Sequence, residues 1–137
     1  MRITSAFFFT FFILLSFSCE KSEHHSIPKT ANEALTALME GNERFINNAS
    51  IHHNFIDEAH HSEKEQHPHT FVLSCIDSRV PPEIVFDQGI GNLFVARVAG
   101  NIEDPNILGS MEYAVQVKGT KLLVVLGHSN CGAVQGA

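Results

Sequence analysis

Short apolar runs in the second half of the chain constrain its fold more than any other feature. The runs occupy residues 70–74, 92–98 and 121–126, and each is followed by a turn rich in glycine, proline or polar residues. The last contains Leu-Leu-Val-Val-Leu, with no alternating polar position. Buried strands of parallel sheets have this pattern. We therefore expect three strands of a largely parallel sheet that is covered on both faces.

The segment between the second and third runs has the periodicity of a helix. It begins at Asp104 and Pro105, and apolar residues then recur at intervals of three or four. A second helix is predicted after Thr30, which can form a capping box with Glu33. Strands that alternate with helices and connect by right-handed crossovers predict an α/β fold, with helices flanking the sheet.

The first 19 residues have the features of an export signal. Arg2 precedes a nearly continuous apolar run, and small residues lie just before Cys19. The end of this run resembles the lipobox at which bacterial lipoproteins are cut and acylated, although Ser16 stands where leucine is usual. We expect export to the periplasm with a lipid anchor at Cys19, the alternative being an ordinary secreted protein. Residues 20–29 then form a polar tether, and residues 30–137 form one domain.

Net charge and histidine content limit which binding partners are expected. The formal net charge of -6 offers no attraction to phosphate backbones, so nucleic acid is not an expected partner. Eight of the nine histidines precede Thr70, several of them in pairs. Because these pairs have no fixed ligand spacing, we favour an ordinary polar surface over metal scavenging.

Candidate metal ligands follow the first and third predicted strands. Cys75 opens the sequence Cys-Ile-Asp-Ser-Arg, while His128 and Cys131 lie in Gly-His-Ser-Asn-Cys-Gly. The carboxyl ends of neighbouring parallel strands meet at one edge of a sheet, so these side chains are expected to converge. Two thiolates and one imidazole are a known catalytic zinc set with an open fourth position. A disulfide between the two cysteines is the alternative in an exported protein, but it leaves His128 without a role.

Asp77 and Arg79 lie two residues apart, just after the first cysteine. Their side chains can pair through a bidentate guanidinium contact, which in many proteins is only structural. Beside a zinc ion, a carboxylate held in this way stays ionised, and it can accept a hydrogen bond from the nucleophile or ligate the metal itself.

These motifs resemble those of the β-class carbonic anhydrases. The resemblance runs from about residue 30 to the end of the chain and includes CIDSRVPPE, FDQGIGNLFVARVAGN, GSMEYAV and KLLVVLGHSNCGAV. It implies one Zn²⁺ on Cys75, His128 and Cys131, and reversible hydration of carbon dioxide to bicarbonate and a proton. It also implies that Asp77 and Arg79 form the active-site dyad, with Asp77 as a fourth ligand in a closed state. Hydrolysis of carbonyl sulfide or carbon disulfide on the same site is one alternative, and an inactive zinc-binding fragment is another.

The resemblance carries further expectations about substrate, assembly and length. It implies substrate contacts at Gln88 and Gly132. Members of the family form dimers or larger assemblies in which the N-terminal helix embraces a partner, and this implies intermolecular contacts for Leu35, Leu38 and Phe45. Because the family continues well beyond its His-x-x-Cys helix, we also expect a C-terminal strand and helices to be missing, and a chain of low stability.

Overall fold

The computed structural model describes residues 26–137, and within that range the chain forms five α-helices, one 3₁₀ helix (Ala99–Asn101) and three strands. The helices are α1 (Ala31–Ile46), α2 (Phe55–Ser62), α3 (Pro82–Val85), α4 (Pro105–Gln116) and α5 (Gly132–Gln135). The strands are β1 (Thr70–Ser74), β2 (Leu93–Arg97) and β3 (Leu122–Leu126). No helix in the described range is long and apolar enough to cross a membrane. The predicted export signal, the lipid anchor at Cys19 and most of the tether lie outside the described residues.

All three strands are parallel and follow the order β2-β1-β3. The register sets Ser74 of β1 level with Arg97 of β2 and with Leu126 of β3. The carboxyl ends of the strands are therefore aligned, with β1 in the centre. The predicted α/β fold with a parallel sheet is confirmed, and each strand boundary falls within one residue of the predicted run.

Two helices cover opposite faces of the central strand. On one face, Leu38 of α1 packs with Val72 and Phe86. On the other face, Ala114 of α4 packs with Phe71 and Leu73, and so covers β1 and the neighbouring part of β2. Successive strand residues point to opposite faces, which is why β1 needs cover on both and is fully buried.

The packing of α1 on the sheet corrects the expectation that Leu38 contacts a partner subunit. Leu38, which the resemblance assigned to a partner contact, is only 1% exposed because it packs into the core of its own chain. Leu35 and Phe45 lie on α1 with substantial exposure. The predicted capping box between Thr30 and Glu33 begins this helix, as expected.

Strand β3 differs from the prediction of cover on both faces. Leu122, Val124 and Leu126 pack against the core on the α1 side. Leu123 and Val125 point the other way and are 46% and 63% exposed. The prediction was wrong for this strand in the described part of the chain, since α4 lies over β1 and β2.

Candidate metal centre

Cys75 lies at the centre of the aligned strand ends. It directly follows β1 and is only 3% exposed. The backbone N–H of Gly100 donates a hydrogen bond to its Sγ across 3.4 Å. Gly100 follows β2 in a 3₁₀ turn and has a φ of 75°, a left-handed conformation that glycine adopts without strain. The turn after the neighbouring strand thus presents an N–H group to the sulfur.

The second cysteine and the histidine reach the same point from the turn between β3 and α5. Cys131 is the N-cap of α5, and its Sγ lies 3.8 Å from the Sγ of Cys75. The ligand atoms of Cys75, His128 and Cys131 all lie within 4.8 Å of one another. Two sulfurs bound tetrahedrally to one zinc ion at about 2.3 Å lie about 3.8 Å apart. Both thiols are free, so the structure contains the predicted convergence and not the alternative disulfide.

The imidazole of His128 has the tautomer that a metal ligand requires. Its Nδ1 lies 3.0 Å from the carbonyl oxygen of Ser129. A carbonyl only accepts hydrogen bonds, so Nδ1 carries a proton and, in the neutral ring, Nε2 presents a lone pair. That Nε2 atom is buried and has no hydrogen-bond partner among the described residues. Because buried polar atoms rarely lack partners, an orphan nitrogen beside two thiols fits a metal ion.

Asp77 and Arg79 form the predicted bidentate pair at the mouth of this group. The Nε and Nη2 atoms of Arg79 donate to the two carboxylate oxygens across 2.8 and 2.7 Å, and the backbone N–H of Arg79 adds a third bond. These hydrogen bonds hold the pKa of Asp77 well below its usual range. Oδ2 of Asp77 lies 3.8 Å from Nε2 of His128. The carboxylate is therefore ionised, fixed and next to the three ligand atoms, but it is not one of them.

Electrostatics within the group favour the thiolate form of Cys75. When no metal is bound, protonation of His128 at Nε2 gives that ring the largest influence, and together with the Gly100 N–H it lowers the pKa of Cys75 to about 6 despite the opposing effect of burial. The same contact with Cys75 raises the pKa of His128. Since thiolates, not thiols, bind metals, Cys75 is prepared as a ligand at neutral pH.

The structure separates the two predicted substrate residues. Gly132 begins α5 directly after Cys131, and a Cβ atom there would meet nothing within 4 Å, so the space beside this ligand is open. Gln88 is buried elsewhere: its amide donates to the carbonyls of Phe86 and Ala37, and its Oε1 lies 3.2 Å from Nε2 of His69. His69 precedes β1 whereas Cys75 follows it, which separates their backbones by roughly 20 Å. Within one chain, Gln88 thus lies apart from the ligand group.

Several residues around the group were not predicted from the sequence. They are Gly100, Ser129, Asn130 and Arg97. The first two act through backbone atoms, as described above, and the carbonyl of Asn130 lies 3.5 Å from Nη2 of Arg79. Backbone contacts of this kind leave no signature in residue type. The side chain of Arg97 donates hydrogen bonds to the backbone carbonyls of Cys75 and Asp77. Only its position at a strand end could have indicated this role.

A parallel sheet with two cysteines and one histidine at its carboxyl edge defines an α/β protein with a candidate metal site. Residues 70–137 match the family model described as carbonic anhydrase. This segment contains the whole ligand group, and the solved structures that the chain resembles are β-carbonic anhydrases.

Three comparisons illustrate the relationship. Carbonic anhydrase 2 of Mycobacterium tuberculosis is 48% identical over 105 residues, which is 76% of this chain and 51% of that protein. The Coccomyxa β-carbonic anhydrase, solved with acetazolamide, has a TM-score of 0.54 at 31% identity and covers 72% of this chain and 45% of its own. A tetrameric β-carbonic anhydrase from Sordaria macrospora has a TM-score of 0.53 at 31% identity, with coverages of 77% and 52%. The chain thus spans about half the length of these relatives.

Proposed function

We propose that this chain binds one Zn²⁺ through Cys75, His128 and Cys131 and catalyses the reversible hydration of carbon dioxide to bicarbonate and a proton. The observation that carries the proposal is the convergence of the three ligand atoms within 4.8 Å, with an ionised carboxylate beside them. The match of residues 70–137 to the carbonic anhydrase family model supports the choice of reaction.

The two cysteines and the histidine suit zinc chemistry in both charge and geometry. A zinc ion held by these residues would supply Lewis-acid chemistry, which makes water a nucleophile at moderate pH. The protein supplies the ligands that would hold this ion: two sulfurs at tetrahedral spacing and an imidazole whose tautomer is set by Ser129. Thiolate charge from Cys75 and Cys131 offsets the charge of the ion.

Asp77 has a separate role in this proposal. Both of its oxygens are held by Arg79, so the carboxylate cannot rotate freely and remains ionised. It carries no proton at neutral pH, and it can therefore only accept hydrogen bonds. A water or hydroxyl group that donates its hydrogen to Asp77 keeps a lone pair free to attack carbon dioxide.

Stopped-flow measurement of carbon dioxide hydration tests this function on the zinc-loaded 137-residue chain. We expect Asp77→Asn to retain zinc but to lose about 10- to 100-fold in rate, because an amide can donate to the nucleophile instead of accepting from it. Glu65→Gln, which removes a charge from an exposed side chain, serves as the control.

Two results would contradict the proposal. A zinc-loaded chain with only the background hydration rate would indicate an inactive zinc-binding chain. Release of hydrogen sulfide from carbonyl sulfide or carbon disulfide, faster than carbon dioxide is hydrated, would favour the alternative hydrolase.

We further propose that the chain assembles into homodimers or larger homo-oligomers. Leu35 and Phe45 of α1 are 47% and 38% exposed, and an apolar helix face of this kind suits burial against a second copy. The tetrameric relative from Sordaria macrospora supports the same assembly. Light scattering during size exclusion tests it: Leu35→Gln is expected to weaken association, while the exposed control Glu40→Gln leaves it unchanged. A wild-type chain that is monomeric at all concentrations would overturn this.

A further inference from the structure

We infer that Arg97 is a positioning residue that holds the loop from Cys75 to Asp77 in place for metal binding. Arg97 is the last residue of β2 and lies level with Ser74 in the sheet register, one residue before the loop begins. Its Nε donates to the carbonyl oxygen of Cys75 across 2.9 Å, and its Nη2 donates to the carbonyl oxygen of Asp77 across 2.6 Å. One guanidinium group thus bridges two carbonyls of the loop.

From the β2 side, the Gly100 N–H also contacts this loop, but it binds the Cys75 sulfur and no carbonyl of the loop. The pairing of β1 with β2 ends where the N–H of Val98 donates to the carbonyl of Ser74, so the next carbonyls have no strand partner, and among the described residues the Asp77 carbonyl accepts otherwise only from the Val80 N–H of its own turn. Ile76, between the two bridged residues, is 61% exposed and adds little packing. The rigid, planar guanidinium group of Arg97 supplies hydrogen bonds to the loop beyond the point where the backbone hydrogen bonds between β1 and β2 end.

The two arginines of the site consequently do different work. Arg79 grips the carboxylate of Asp77 and fixes the direction of that side chain. Arg97 donates hydrogen bonds to the backbone on both sides of Ile76, and so fixes the distance between the Cys75 sulfur and the Asp77 carboxylate. This inference rests on the proposed zinc site, and it assigns to that site a residue beyond the ligands and the Asp77–Arg79 pair.

Metal binding by Arg97 variants tests the role without any assay of catalysis. Arg97→Met keeps a long side chain but removes every donor, whereas Arg97→Lys keeps the charge and replaces the fork with a single ammonium group. Lys118→Met removes one positive charge from an exposed turn after α4 and serves as the control. Zn²⁺ affinity is measured by competition with a chelator, and Co²⁺ absorption reports the ligand geometry. Each apoprotein is first shown by circular dichroism to be folded at the assay temperature.

We expect Arg97→Met to lose about 10- to 100-fold in Zn²⁺ affinity and to weaken the tetrahedral Co²⁺ bands, because the ligand loop loses two restraints. Arg97→Lys should lose less, and Lys118→Met nothing. If Arg97→Met lowers only the unfolding midpoint of the apoprotein and leaves affinity and spectrum unchanged, the positioning role is overturned. Should that variant fail to fold, wild-type affinity in Arg97→Lys overturns it instead. A wild-type chain that binds neither Zn²⁺ nor Co²⁺ overturns the proposed function as well. Failure of the zinc site is therefore seen in the wild-type chain, whereas failure of the Arg97 role is seen only in the variants.

Discussion

The sulfur of Cys75 is surrounded by groups that favour its negative charge. His128 and the N–H of Gly100 lower its pKa to about 6, well under the usual value of a thiol. An acidic group whose pKa is lowered by folding stabilises the folded state fully above its unfolded pKa, and this contribution is lost as the pH falls through the folded value. The metal-free chain is therefore expected to lose part of its stability as the pH drops from about 8.5 to about 6.

This titration is directly measurable. In metal-free chain carrying Cys19→Ser, ultraviolet thiolate absorbance should rise in a step near pH 6. His128→Ala should move the step up toward about 8.5, because the largest cause of the shift is removed. His67→Ala, which alters an exposed imidazole at the opposite end of β1 from Cys75, is the control. Identical titration curves for the wild-type and His128→Ala chains would contradict the assignment.

The sequence predicted the metal ligands of the site but not the residues that hold those ligands in position, for a physical reason. Cys75, His128 and Cys131 have ligating side chains at strand ends, so residue type and position along the chain were sufficient to find them. The role of Arg97 depends on β2 being the neighbour of β1, and strand order is a tertiary property. Gln88 was assigned to the substrate by resemblance alone, while the fold uses its amide to satisfy backbone carbonyls.

At the level of elements, the strands were easier to predict than the helices. Apolar runs that end in turns mark buried strands, and all three were found within one residue. Helix α2 lies in the polar histidine-rich region, for which the sequence predicted an ordinary polar surface and no particular element. Its start was readable, since the side chain of Asn54 accepts a hydrogen bond from the N–H of Asp57 as an N-cap. No residue of the helix is fully buried, and its two large apolar residues, Phe55 and Ile56, are adjacent and exposed, so an eight-residue helix gave little to distinguish it from polar surface.

The packing of α1 on the segment after α3 depends on a glycine. At Gly41 a Cβ atom would overlap the carbonyl oxygen of Phe86. Gly41→Ala should therefore destabilise the chain by about 1–3 kcal/mol, although alanine is the better helix former. Gly109 of α4 has no atom within 4 Å of its would-be Cβ, so Gly109→Ala should stabilise the chain by about 0.5–1 kcal/mol.

Urea unfolding of both alanine variants under identical conditions measures these opposite signs. Each glycine lies inside a helix, so the comparison cancels intrinsic helix propensity and isolates the contact with Phe86. Stabilisation by both substitutions would show that α1 does not approach the Phe86 carbonyl as closely as described.

On the scale of the whole molecule, the described chain is a three-layer arrangement that is complete around β1 and open beside β3. The apolar character of β3 predicted cover on both faces, whereas the observed exposure alternates along the strand. Sequence can report that both faces are apolar, but which helix covers them depends on where α4 crosses the sheet. Together with the exposed side of α1, this leaves two separate apolar surfaces in the described part of the chain.

Two adjacent valines of β3 provide a test of this asymmetry. Threonine has nearly the shape of valine, so Val124→Thr and Val125→Thr differ only in where the hydroxyl is placed. Val124 packs against the core on the α1 side, and a hydroxyl there should cost about 1–3 kcal/mol in the free energy of unfolding. Val125 is exposed, so its variant should change stability by less than about 0.5 kcal/mol while lowering the binding of a hydrophobic dye. Equal destabilisation by the two variants would mean that the outer face of β3 is covered in solution, and the oligomeric state of the wild-type chain would then show whether a second copy covers it.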